Sequence, residues 1–384
     1  MSGQVHHMLA PVRLAVGLVA ATVTATGAIP RILLAAGMLP ETLRPFVWSD
    51  VLLVYARGLS GHHLPYVDVP FEYPPLVALA SGIFSRVSDS PVMFVLLWTT
   101  LQAVLAGTIA LTLAGAASAR MTVWRFALAP QLLLLGAANF DLLAVAFFAA
   151  AIVAARSRRE IRAASFLALG TLSKLFPVVA APVLIARAAR PARVALFGAG
   201  IIAVGYIAAA LAGRSGATGP LYYLIGIDAN FDSPWGLLTR VLDAAGIAQS
   251  QEIVVSITLV GLAATYLLAV LPRARSADPA IPFGLAVVTT LIWSRLYSPQ
   301  YSLWLLPLFV LLPLGGRLFA LLTVADVVVF FTVYPLTLVH WAPDDARAAL
   351  LLAAVVAGVL LRLVALVGIW RGLRRMDPAV GAQP

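Results

Sequence analysis

Cysteine is absent from the chain, which excludes disulfides, thiolate metal sites and cysteine nucleophiles together. Charge is scarce: 11% of residues are charged against 62% hydrophobic, and no polar block is longer than a loop. A soluble domain of any size is therefore excluded. Lysine is reduced to one residue, Lys174, in a chain whose other cations are arginines. The histidine pairs His6 and His7, and His62 and His63, lack the spacing that sets two ligands on one helix face, so no metal site is read there. No glycine-rich nucleotide fingerprint is present, and no metal or cofactor is expected.

What remains is a series of long apolar runs from end to end of 384 residues, the pattern of an all-α, polytopic integral membrane protein with one membrane domain. The net charge of +10 arises from arginine clusters between those runs, where they set topology rather than bind nucleic acid. Arg156, Arg158, Arg159 and Arg162 form one cluster and Arg187, Arg190 and Arg193 the next; Arg273, Arg275, Arg317, Arg371, Arg374 and Arg375 follow, all expected on the cytoplasmic side. The N-terminal apolar stretch outruns a signal peptide and lacks its cleavage pattern, so it is expected to remain as the first span.

Residues 12–39 make that span, with Pro30 and Arg31 marking a kink or an interfacial end. Residues 40–75 form the first external loop, 76–87 are too few to cross, and 91–117 cross next. Between 161 and 186 a single span's length of chain must return to the side it left, which requires two half-crossings broken at 173–177. The same reasoning splits 122–155 at 139–141. Then follow 194–211, a second external loop at 213–250, 253–271, 281–293, 301–314, 318–339 and 350–370, before a cytoplasmic tail, 371–384. The total is about 12 segments, within a range of about 11 to 13. Asp50, Asp68, Glu72, Asp228, Asp232, Asp344 and Asp345 then fall outside, making the external face acidic and the place to look for chemistry. No internal repeat is visible, which counts against a symmetric transporter.

The first loop carries the leading candidate. Asp50 follows Trp48 and Ser49 and precedes a short apolar run, so it reads both as a helix N-cap and as a general base at a rigid start facing a cavity; the roles are compatible. Tyr73, Pro74 and Pro75 make a rigid entry into the next helix, and Glu72 reads as a rim charge or a ligand for a substrate hydroxyl. Lys174 sits at the break in a hairpin at membrane depth, as a point charge for phosphate, a snorkelling side chain or a partner for Asp141. Arg295 lies in the external turn 293–299 and either clamps a phosphate or pairs with Asp344 or Asp345. Asp326, inside a span, has no evident partner.

The order Asp50, Tyr55, Pro65, Tyr66, then Phe71 to Leu76 in the first loop resembles the GT-C membrane glycosyltransferases, specifically glycosyltransferase family 87. Asn139 opening a helix, Lys174 with Pro177, Asn230 to Gly236, and Ser298 and Pro299 before Trp304 and Pro307 continue the resemblance over most of the chain. It implies a GT-C-like bundle with a catalytic first external loop. It also implies transfer of mannose from a polyprenyl-phosphate donor to an extracytoplasmic glycolipid or glycan, with inversion. Asp50 would be the base, and Lys174, Arg295, Tyr73, Glu72, Asn139 and Tyr55 would bind substrate. Many members carry histidines soon after the Ser-Pro turn, where this chain has Gln300, Tyr301 and Ser302. Alternatives are a polyprenyl-phospho-arabinose-dependent arabinofuranosyltransferase and a flippase for a lipid-linked sugar.

Overall fold

The structure, a computed structural model, describes residues 2–213, 218–342 and 345–376; Asp344 and the tail beyond 376 lie outside the described residues. Among the described residues the regular elements are helical, with one isolated bridge between Pro65 and Val69. α1 (Ser2–Ala35) leads to the short α2 (Asp50–Val54), α3 (Pro75–Val87), α4 (Pro91–Ala116) and α5 (Ala119–Thr122). α6 (Pro130–Leu135), α7 (Asp141–Arg156), α8 (Glu160–Thr171), α9 (Ala181–Arg187) and α10 (Pro191–Ala212) follow. After α11 (Gly219–Gly226), α12 (Pro234–Ala244) and α13 (Ser250–Thr265) come α14 (Ala280–Trp293), α15 (Leu306–Leu311), α16 (Gly316–Leu338) and α17 (Ala346–Arg375).

Among the described residues, six helices are long and apolar enough to cross a membrane, and shorter apolar helices lie at Pro75–Val87, Phe176–Arg187, Ala280–Trp293 and Pro299–Leu311. The expected full crossing at 281–293 is one of the short ones. At 14 residues α14 is roughly 21 Å long, less than the ~30 Å of a bilayer core. Its flanks are buried all round, so it is a core helix of the bundle.

Pro30 and Arg31 do not end the first span. α1 runs through both to Ala35. Proline removes the main-chain donor that Thr26 O would receive, and the neighbouring Arg31, 3% exposed, folds back along the helix to donate to Gly27 O at 2.5 Å. Its other donors reach Trp48 O (2.8 Å) and Leu134 O (2.6 Å), which ties α1 to the first loop and to α6. The approach there is so close that a Cβ on Gly27 would lie 1.9 Å from Leu133 O. Small residues likewise let α1 meet α4, where Gly17 faces Gly107.

Both expected chain breaks occur. α6 and α7 are separated at 136–140, and α8 stops at Thr171 ahead of a 3-10 turn, Phe176–Ala180. These broken ends hold the first loop: Asp50 N donates to Ala138 O at 2.9 Å, and Leu76 N, one of the free donors at the start of α3, donates to Leu172 O at 2.8 Å. The loop also has a core of its own, in which Val51, Val54, Leu59, Tyr66 and Phe71 pack toward Phe94, Trp98 and Phe140. Tyr73 meets Phe140 edge to face at 4.7 Å, and Phe140 meets Trp98 at 4.5 Å. Each such pair contributes about 0.5–1.5 kcal/mol beyond burial. The segment that carries Asp50 is thus a folded element rather than a mobile tether.

Candidate active site

Between the first loop, the two chain breaks and the 294–304 segment lies a cavity of about 1120 Å³. Asp50, Glu72, Tyr73, Asn139 and Lys174 line it; Tyr55 and Arg295 do not. The Tyr55 hydroxyl turns away to donate to Asp89 Oδ1 at 3.0 Å. The Arg295 main-chain carbonyl accepts from Asn230 N (2.9 Å) and Ser233 Oγ (2.8 Å), so this residue shapes the wall from behind. Asp345 caps α17 and pairs with Arg347 at 2.8 Å rather than with Arg295.

The helix cap beside the candidate base is Ser49, whose hydroxyl accepts from Leu52 N at 3.2 Å; Asp50 is the first residue of α2 and caps nothing. That leaves its carboxylate for the cavity. Trp48 Nε1 donates to Oδ1 at 2.7 Å, Asn139 donates to Oδ2, and Gln300 Nε2 stands 3.5 Å from Oδ2. Trp48 is itself fixed, stacked on Tyr334 at 5.0 Å. The Asp50 carboxyl is only 7% exposed, and this burial pushes its pKa up to about 6, against the opposing pull of the Lys174 charge and the Trp48 hydrogen bond. At neutral pH such a carboxylate is ionised yet basic enough to take a proton.

Lys174 pairs with the fully buried Asp141, its Nζ 3.2 Å from Oδ2, while Trp304 Nε1 donates to the other oxygen at 2.7 Å. The ammonium also lies 5.3 Å from the Tyr73 ring centre and 5.4 Å from that of Tyr301. Phe176, Trp304 and Tyr301 form a continuous stack beneath it, with centroid spacings of 4.0 and 4.1 Å. The cation thus keeps a built environment of one carboxylate and two ring faces and still lines the cavity.

Three groups escaped the sequence reading as site residues. Gln300 reaches toward Asp50 from the position after the Ser-Pro turn. Asp232 lines the cavity, and burial pushes its carboxyl up to about 6. Asp326 pairs with Arg362 at 3.0 Å, both almost wholly buried, and also accepts from Ser302 Oγ (2.8 Å) and Gln131 Nε2 (3.2 Å). Arg362 extends this network to the main chain of the site, with Nη1 3.3 Å from Asp232 O and 3.4 Å from Tyr297 O.

A family model described as glycosyltransferase family 87 matches residues 71–299, more than half of the chain. The chain belongs to glycosyltransferase family 87. No curated protein and no solved structure matches it. As a member of family 87 it is a membrane glycosyltransferase. The matched segment contains Glu72, Tyr73, Asn139, Lys174 and Asp232 but begins after Asp50. The case for Asp50 in this family 87 chain therefore stands on its surroundings: a buried, hydrogen-bonded carboxylate in the same cavity as Lys174.

Proposed function

We propose that the chain is a GT-C-type mannosyltransferase of the cell membrane with about 11 to 13 transmembrane segments and its active site on the extracytoplasmic side. It takes mannose from a polyprenyl-phosphate donor and passes it to a hydroxyl of a glycolipid or glycan, inverting the anomeric carbon. The observation that carries the reading is one cavity holding a buried carboxylate of raised pKa, Asp50, and the chain's single lysine, Lys174.

In this mechanism Asp50 removes the proton of the acceptor hydroxyl as that oxygen bonds to the anomeric carbon, while the carbon–oxygen bond to phosphate breaks and leaves its electron pair on the phosphate. Lys174 stabilises that developing charge. A phosphate leaves without the general acid that a glycosidase requires, so one base suffices. Trp48 and Asn139 hold the Asp50 carboxylate in one orientation. Glu72, whose partner is Arg57 at 3.1 Å, contributes at the rim.

The donor class is supported by the apolar arm of the same cavity. Leu175, Val178, Val179, Ile202 and Leu291 line it, and Ile202 belongs to α10, whose far face exposes Leu196, Val204, Ile207 and Leu211. Such a wall suits a polyprenyl tail that stays in the bilayer, and no nucleotide needs to be held.

The test is donor competition with the purified chain in detergent and an extracted glycolipid acceptor. Polyprenyl-phospho-mannose, polyprenyl-phospho-arabinose and GDP-mannose are offered separately, each labelled in the sugar. Transfer from the first alone is expected. Transfer from GDP-mannose alone would overturn the lipid-donor reading, transfer from the arabinose donor would make the chain a pentosyltransferase, and movement of lipid-linked sugar across vesicles without transfer would make it a flippase.

A further inference from the structure

Four carboxylates are buried in the described chain: Asp50, Asp141, Asp232 and Asp326. Three of them are supplied with side-chain donors. Asp50 receives Trp48 and Asn139, Asp141 receives Lys174 and Trp304, and Asp326 receives Arg362, Ser302 and Gln131. Asp232, 6% exposed, receives none among the described residues; the donor at its carboxylate is its own main-chain N–H. With that one donor and no side-chain hydrogen bond, the carboxylate keeps acceptor capacity to spare where it lines the cavity, which points to a ligand that supplies donors.

The surroundings say where that ligand comes from. Asp232 lines the same cavity as Asp50. Its loop is held rigidly: Arg362 approaches the Asp232 carbonyl, Ser233 Oγ donates to Asn230 O (2.8 Å) and Arg295 O (2.8 Å), and a Cβ on Gly236 would strike Asn230 O at 1.9 Å. The carboxylate is therefore fixed in place with no side-chain donor of its own.

The ligand's charge follows from what already faces the cavity. One part of the wall carries Lys174, against Tyr73 and Tyr301, and another carries the buried carboxylates of Asp50 and Asp232. An anionic phosphate is attracted to the first and receives no hydrogen bond from the second, whose oxygens only accept. A neutral polyol, rich in O–H donors, fits the second.

We propose that Asp232 binds the acceptor sugar, accepting hydrogen bonds from hydroxyls that do not react and so presenting the reacting hydroxyl to Asp50. The proposal rests on the glycosyltransferase reading of the same cavity and adds the side on which the acceptor sits and the residue that selects a polyol. Arg362 pairs with Asp326, approaches the loop carbonyls and acts on the Asp232 carboxylate by charge alone, while Arg240 stacks on the neighbouring Phe231 at 4.1 Å.

The experiment measures binding apart from transfer. The purified chain, in a detergent without a sugar headgroup, is titrated calorimetrically with octyl α-mannoside at pH 7.5, and thermal unfolding midpoints are recorded for the same samples. Wild type is expected to bind saturably and Asp232→Asn to lose at least tenfold in affinity. Asp232→Asn is also expected to unfold no lower than wild type, because it removes a buried charge that no side chain hydrogen-bonds. Affinity within threefold of wild type in Asp232→Asn, absence of saturable binding by wild type, or a markedly lowered midpoint in Asp232→Asn would each overturn the proposal, the last by making the carboxylate structural. Failure of sugar transfer from every lipid donor, with binding as expected, would sink the mannosyltransferase reading and leave the polyol site standing.

Discussion

The pH dependence of transfer follows from the surroundings of Asp50. With a carboxyl pKa of about 6 the ionised fraction is about 0.9 at pH 7 and about 0.09 at pH 5, so a base-dependent rate falls roughly tenfold between them. An ordinary aspartate would still be about 94% ionised at pH 5. The perturbation that isolates the cause is Trp48→Phe, which keeps a ring to stack on Tyr334 and removes the N–H that donates to Oδ1 at 2.7 Å. A hydrogen bond to a charged group contributes about 1.5–3 kcal/mol, and 1.36 kcal/mol is about one pH unit. The acid limb is therefore expected to move upward by about one to two units in the variant. The assay is the initial rate of label transfer at limiting acceptor from pH 4.5 to 9, corrected for donor breakdown without protein. A wild-type midpoint below pH 5, or a Trp48→Phe midpoint that stays or moves down, would refute the reasoning.

Three further outcomes follow from the same geometry. The Asp50 carboxyl has a folded pKa near 6 against 3.8 for the free group, so its protonated form favours the fold. Its cost to stability is absent below about pH 3.8, grows as pH rises and levels off above pH 6 at about 3 kcal/mol; in detergent, Asp50→Asn should unfold above wild type at pH 7.5 and approach it at pH 4. Lys174→Met is expected to raise the KM for the lipid donor at least tenfold and to lower the unfolding midpoint, since Asp141 keeps only Trp304; Lys174→Met with Asp141→Asn should restore the midpoint but not the KM, and recovery of both would remove Lys174 from phosphate binding. Arg362→Met strands Asp326, a change worth about 3–5 kcal/mol, and should abolish monodisperse protein in size-exclusion chromatography, with Arg362→Met and Asp326→Leu together recovering it; a well-behaved single variant would contradict the pairing as a strut.

The sequence made the membrane class legible through its apolar runs, and it located both chain breaks because polar residues, joined by Pro177 in the second, interrupt a run that must reverse, at 139–141 and at 173–177. Asp50 and Lys174 stood out because acid and lysine are rare in so apolar a chain. Their partners did not. Asp141 meets Trp304, and Asp326 meets Arg362, through helix rotations and crossings that a helix apolar around its circumference does not encode. Arg362 was read over as part of the last span, and Asp232 as one more external charge. Arg295, an external arginine by topology, also anchors the 230–233 turn through its main-chain carbonyl, which no side-chain pattern reveals. Of the kink or interfacial end expected at Pro30 and Arg31, the end does not occur there: α1 runs on to Ala35, and Arg31 turns its guanidinium to Trp48 O and Leu134 O, partners that pattern does not reveal.

The most direct test of the account is the transfer rate of Asp50→Asn at protein matched to wild type, with labelled polyprenyl-phospho-mannose and a saturating glycolipid acceptor. Asparagine keeps the size of the side chain and the contact with Trp48 while removing the base. The account expects kcat to fall by about 10²–10⁴-fold, with the KM for the lipid donor within threefold and the fold intact. A kcat within tenfold of wild type would contradict Asp50 as the base.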